Sequence, residues 1–140
     1  MKVLLSHDGS ECSDRAVKFV ATTLQKQAKS LHVTVLYVDI PLLDRVAASL
    51  GEETVARIHR ENSEFVFKGA RARLKRAGVK FEESRHVGNV PTHIASLAEA
   101  GKFDLVVMGS RGRTALGSWL IGSVTTQVLA ESKVPVLVVR

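Results

Sequence analysis

Cysteine is nearly absent from this chain: Cys12 is the single thiol in 140 residues, which excludes an internal disulfide and any metal site built from several thiolates. Aromatic residues are equally scarce, five Phe, one Tyr and one Trp. No row of stacking side chains is therefore available to grip single-stranded nucleic acid. No apolar run approaches the roughly 20 residues that cross a bilayer, so no membrane partner is expected. The opening Met1-Lys-Val-Leu-Leu-Ser-His-Asp8 reads as a strand and not as a secretory leader. Together with the lone cysteine, this sets a cytoplasmic expectation. Two phosphate-binding signatures are also missing. G-x-G-x-x-G occurs nowhere, which removes the motif of dehydrogenase-type dinucleotide folds. Gly117-Ser-Trp-Leu-Ile-Gly122-Ser123 begins like a P-loop but has serine where the phosphate-neutralising lysine belongs.

The remaining composition is that of an ordinary globular chain, with 45% hydrophobic and 24% charged residues. Its length suits a single domain, residues 1–140. The net charge of +6 raises a nucleic-acid reading, and its densest run is Arg71, Arg73, Lys75 and Arg76. That run lies at the end of an expected helix, where cations complement the helix dipole, and no aromatic accompanies it. A solvated helix face is preferred, and no nucleic-acid partner is expected.

The most informative stretch is Met108–Thr125. An apolar run, Asp104-Leu-Val-Val-Met108, stops at Gly109, and further glycines follow at 112 and 122, the last joined to Ser123 and Thr125. A strand entering a glycine-rich loop and then a helix is a recurrent phosphate cradle. Glycine lets the backbone approach a ligand closely, and the unpaired N–H groups of a helix start face the anion. On this reading Gly112, Gly122, Ser123 and Val124 surround phosphate, with the Ser123 and Thr125 hydroxyls as added donors. A ligand-free surface loop is the alternative. Asp8 follows the first strand and suits a ribose hydroxyl acceptor, or a turn residue or helix cap. Arg111 and Arg113 flank Gly112, where they would steer phosphate or stand in solvent. Trp119 is expected to pack the loop down. The five histidines lie on separate elements and suggest no metal site. No Ser–His–Asp set or general base is evident, so any hydrolysis of a bound phosphate ester should be slow.

Strands and helices alternate throughout. Strands are expected at Lys2–His7, Leu31–Val38, Val79–Val87, Asp104–Met108 and Val136–Val139. A helix from Ser10 or Ser13 carries the stripe Ala16, Val17, Val20, Ala21, Leu24 and Ala28. After Pro41 comes a short helical turn within 42–50, then a long helix from about Glu52 to Ala77. This helix directs Val55, Ile58, Phe65, Val66 and Leu74 inward, and Gly78 stops it. Helices from Pro91 to Gly101 and from Gly122 to Ser132 complete the pattern. Such alternation selects a parallel sheet covered on both faces, with a ligand beyond the C-terminal strand ends.

With Asp8-Gly9-Ser10, Tyr37-Val38-Asp39, Asp104-Leu-Val-Val-Met-Gly-Ser-Arg-Gly112, Gly122-Ser123-Val124 and Val134-Pro-Val-Leu-Val-Val139, the chain resembles the universal stress protein family over nearly its whole length. The glycine spacing matches that family's ATP-binding branch. The resemblance implies an α/β fold, an open five-stranded parallel sheet in the order 3-2-1-4-5. It also implies a cytoplasmic homodimer joined through the C-terminal strand and an adenine nucleotide, ATP, as ligand. Magnesium is expected to ride on the phosphates. Val38 matches the adenine-reading position, Met108 packs beside base or sugar, and the Gly109 backbone joins Asp8 at the ribose. Ser6 and His7 stand where many relatives have apolar or Pro-Thr residues beside the nucleotide. The implied role is regulatory, in stress response, with the bound state read by a protein partner. The alternatives are a slow ATPase of the same fold and a dimeric interaction protein without nucleotide.

Overall fold

The β-branched runs of the sequence pair as five parallel strands in the order β3-β2-β1-β4-β5, in a computed structural model that describes residues 1–112 and 121–140. Arg113, Gly117 and Trp119, singled out above, lie outside the described residues. In chain order, β1 (Lys2–Ser6) leads into α1 (Glu11–Phe19), a π-helical stretch at Val20–Leu24 and α2 (Gln25–Gln27). Next come β2 (His32–Asp39), α3 (Asp44–Leu50), α4 (Glu52–Arg76) and β3 (Lys80–Val87). The chain then runs through α5 (Val90–Ala100), β4 (Leu105–Gly109), α6 (Ser123–Glu131) and β5 (Val136–Val139).

Strand alternation divides the core into two layers. Val3, Leu5, Val33, Val35 and Val107 face α1 and α4, meeting Ala16, Val17, Val20, Phe67, Ala70 and Leu74. Leu4, Leu36, Val38, Val106 and Met108 face α5 and α6, meeting Ile94, Ala98 and Val128. Helix starts are set by local caps: Ser10 accepts from the Ser13 N–H at 3.2 Å, and Asn89 accepts from the Thr92 N–H at 3.1 Å. Gly78, at φ +67°, ends α4 in the left-handed conformation that a side chain resists.

Three expectations change. Phe65 was assigned inward but is 82% exposed. The core stripe of α4 is instead Ser63, Val66, Phe67, Ala70 and Leu74, a 3.6-residue repeat. Two residues from Phe67 is about 200° around a helix, so the two rings cannot share a face. Ala28 lies past the end of α2 with extended backbone, although it still packs against the core. β1 closes at Ser6, with the His7 N–H donating to Leu36 O at 2.9 Å.

Candidate functional site: a crevice at the strand ends

β1 pairs with β2 on one side and β4 on the other, so chain direction across the sheet reverses here, the usual ligand position in an open α/β sheet. β2 continues past Leu36, which pairs with Ser6 at the end of β1, and leaves a step. A crevice of about 300 Å³ opens there.

Of the residues expected at a site, Ser6, Asp8, Val38, Met108, Gly109, Arg111, Gly112, Val124 and Thr125 line this crevice. Ser6, Val38 and Met108 reach it because they share the α5/α6 face of the sheet by strand alternation. The same alternation turns His7 the other way, and it is buried at 2% exposure rather than lining the crevice. Gly122 and Ser123 are also outside the lining; Gly122 is the N-cap of α6 and supplies no side-chain cap. The leading N–H groups of α6, which have no intrahelical acceptor, are thus not covered by a side chain of the cap residue.

Two expected donors are already engaged. The Gly122 N–H donates to Ser110 O at 2.8 Å, which ties the two ends of the loop together. The Thr125 hydroxyl donates to Gly109 O at 3.0 Å, so it offers a ligand its lone pairs and not its proton. Asp8 holds the first turn of α1 in position: its Oδ1 accepts from the Ser10 N–H at 3.0 Å.

The glycines act through closeness. A Cβ at Gly109 would lie 2.6 Å from the Cys12 carbonyl carbon and 2.7 Å from the Ser13 nitrogen. At Gly112 it would meet Asp8 Oδ2 at 2.9 Å, and at Gly122 the Arg111 Cα at 3.2 Å. At Gly109 the main chain is packed too tightly for any side chain, and at Gly112 a side chain would press on the Asp8 carboxylate, so this part of the crevice wall is main chain.

Ser13, Tyr37, Asp39, Ile40 and Val90 also line the crevice, and sequence reasoning gave none of them a role. Asp39 is the centre of a network. Its Oδ1 accepts from Tyr37 OH and from the Ile40 N–H, each at 3.0 Å. Its Oδ2 accepts from His59 Nδ1 at 2.7 Å and Asn62 Nδ2 at 2.9 Å. Burial alone would raise the Asp39 pKa, but hydrogen bonds from His59, Asn62 and Tyr37 outweigh it and hold the carboxyl below its ordinary value. The network pins α4 to the end of β2, and so fixes the backbone beside Val38.

His7 has the opposite balance. Burial lowers its pKa, against the pull of Asp14 and Asp8 and of the Val66 and Ser13 backbone; Asp14 Oδ1 is 3.9 Å from Nε2. A folded-state pKa below the unfolded value of about 6.5 means that the unfolded chain takes up the proton first. The neutral ring's contribution is complete above pH ~6.5 and is lost as pH falls through the folded pKa. We expect His7→Leu to flatten this acid-side loss by up to about 1.4 kcal/mol per pH unit, measured by urea unfolding between pH 7 and 5. Parallel pH profiles for variant and parent would contradict it.

The sequence matches the universal stress protein family over residues 1–140. It is 34% identical to a universal stress protein of Thermus aquaticus, over 99% of this chain and 97% of that protein. It is 31% identical to universal stress protein MJ0577 of Methanocaldococcus jannaschii. The MJ0577 structure superposes with a TM-score of 0.82, covering 99% of this chain and 94% of that one. A universal stress protein solved in complex with cAMP is 27% identical, with a TM-score of 0.69 over 100% of this chain and 97% of that one. With a family match across every residue and curated relatives above 30% identity over nearly full length, the chain belongs to the universal stress protein family.

Proposed function

We propose that this single domain binds an adenine nucleotide, ATP with magnesium, in the crevice at the strand ends, and acts as a cytoplasmic stress-response regulator whose bound state a protein partner reads. One observation carries the reading. Asp8, Val38 and Gly109, Arg111 and Gly112, far apart in sequence, line one crevice with Val124 and Thr125 at the start of α6. The cAMP complex of a 27% identical relative supports the same ligand class.

The groups present suit the parts of such a ligand. Val38 and Met108 offer an apolar slot for the base, and Asp8 an acceptor for ribose hydroxyls. Gly112 and the leading N–H groups of α6 offer main-chain donors to phosphate, with helix direction favouring the anion. Arg111 adds positive charge at the same wall. Among the described residues no group of three His, Cys, Asp or Glu could hold a metal. Magnesium fits as an ion carried on phosphate oxygens and water, with the Asp8 carboxylate in the same crevice. When bound, it would neutralise phosphate charge. Mass spectrometry of small molecules released from freshly purified, denatured protein tests the ligand class. An adenine nucleotide is expected; a different cofactor in stoichiometric amount would overturn the reading.

The same proposal includes a homodimer through β5. Among the described strands, β5 pairs only with β4, and its sequence Val-Leu-Val-Val has no charge or proline to discourage edge pairing. A second copy pairing antiparallel about a two-fold axis would satisfy that edge. Val138→Asp should raise the dimer dissociation constant at least about tenfold, because the carboxylate would be desolvated without a partner. Sedimentation at micromolar protein decides this; a monomeric parent protein, or a dimer indifferent to the charge, would contradict it.

A further inference from the structure

We propose that a second crevice, between the N-terminal half of α4 and the C-terminal end of β3, is a binding site for a small oxyanion: a phosphate or carboxylate group on a compact molecule. The crevice holds about 280 Å³ and is lined by His59, Arg60, Arg85 and His86 around a wall of Tyr37 and Val87. Of its eight lining residues two are arginines and two are histidines, and no aspartate or glutamate is among them. Two of these four touch a carboxylate outside the lining, Arg85 at Glu64 and His59 at Asp39, so the uncompensated positive charge among the described residues rests on Arg60.

The donors are placed for an outside acceptor. Arg60 makes no ion pair among the described residues, and its backbone is fixed because the buried Ser63 hydroxyl donates to Arg60 O at 2.8 Å. Arg85 reaches Glu64 Oε1 through Nη2 at 3.2 Å, with both side chains 46% exposed. This exposed pair is weak enough for a ligand to compete with. His59 presents Nδ1 to Asp39, so the far side of its ring carries Nε2. His86 uses Nε2 on Ser84 Oγ at 3.0 Å, leaving Nδ1. Guanidinium forks and imidazole N–H groups match oxyanions in charge and direction. The site also lies at the C-terminal end of the sheet, where parallel sheets receive ligands. Tyr37 lines both crevices, and His59 holds Asp39 of the first, yet none of His59, Arg60, Arg85 and His86 lines the nucleotide crevice.

The test is an amide chemical-shift titration of the full chain with sodium phosphate, and separately with sodium acetate, at constant ionic strength. It is run with and without saturating AMP. We expect saturable shifts at Arg60, Ser63 and Arg85–Val87 that persist with AMP present. Arg60→Gln and Arg85→Gln should each weaken the effective anion about tenfold while melting temperature and AMP affinity stay unchanged. Saturation by phosphate alone, or by acetate alone, identifies the group that the site takes. Shifts confined to Gly109–Gly112 and Ser123–Thr125, shifts that never saturate, or unchanged affinity in both arginine variants would overturn the proposal. Failure of AMP to move the first crevice would count against the nucleotide reading alone, because the two sets of amides are separate.

Discussion

Gly122→Val should abolish most nucleotide binding in a protein that still folds. The added Cβ would stand 3.2 Å from the Arg111 Cα and 3.5 Å from the Gly112 nitrogen, and the branched methyls extend further. Backbone atoms cannot rotate aside as a side-chain tip can, so the 110–112 segment and the start of α6 must separate. That displaces the main-chain donors proposed for phosphate. The core layers lie elsewhere, and Gly122 is only half-buried, so stability should change much less than affinity. Calorimetric titration with Mg-ATP should show a loss of at least about tenfold, or ~1.4 kcal/mol. Parent-like binding by the variant would remove Gly122 and the α6 start from the site.

Gly109→Ala should have the largest effect on stability. Here the new methyl meets main chain at 2.6 and 2.7 Å, the Cys12 carbonyl carbon and the Ser13 nitrogen. Those atoms belong to the first turn of α1, which caps the end of β4. Gly109 also pairs with Val139 of β5 and accepts the Thr125 hydroxyl, so a shift would spread to three neighbours. Overpacking of this kind costs about 3 kcal/mol, which lowers the melting temperature by about 10 °C in a chain of this length. Gly69→Ala supplies the contrast. Gly69 is exposed in the middle of α4 and its added Cβ would meet nothing within 4 Å, so the change should stabilise by about 0.5–1 kcal/mol through helix propensity. Urea unfolding of both variants checks the pair of signs. If Gly109→Ala were as stable as the parent, the close approach of β4 to α1 would not be a constraint.

Alternation of strand-like runs with amphipathic stripes made the parallel sheet legible, and the resemblance implied the order that puts β3 and β5 at its two edges. The crevice was legible where its lining is close-packed backbone: glycines at 109 and 112, and a short polar turn after β1. Side-chain partnerships were not. Asp39 stood in a quoted motif, but its partners His59 and Asn62 lie 20 and 23 residues away on a helix whose docking face only the fold decides. Phe65 was misplaced because Phe65-Val66-Phe67 puts apolar residues on consecutive positions, which erases the period that sets a helix face. His7 shows the same limit just past the end of a strand. Adjacency to Asp8 brought it into the expected site, whereas a period of two sends neighbouring side chains to opposite faces.

A strand-end crevice that takes an adenine nucleotide should make the parent protein unfold at a higher temperature with Mg-ATP than without it. The protein is first shown by mass spectrometry to be ligand-free. At ligand near 100 times its dissociation constant, stabilisation of about 2.7 kcal/mol is expected, a rise in melting temperature of roughly 5–10 °C. An unchanged melting temperature at millimolar Mg-ATP would mean that the crevice does not bind this nucleotide.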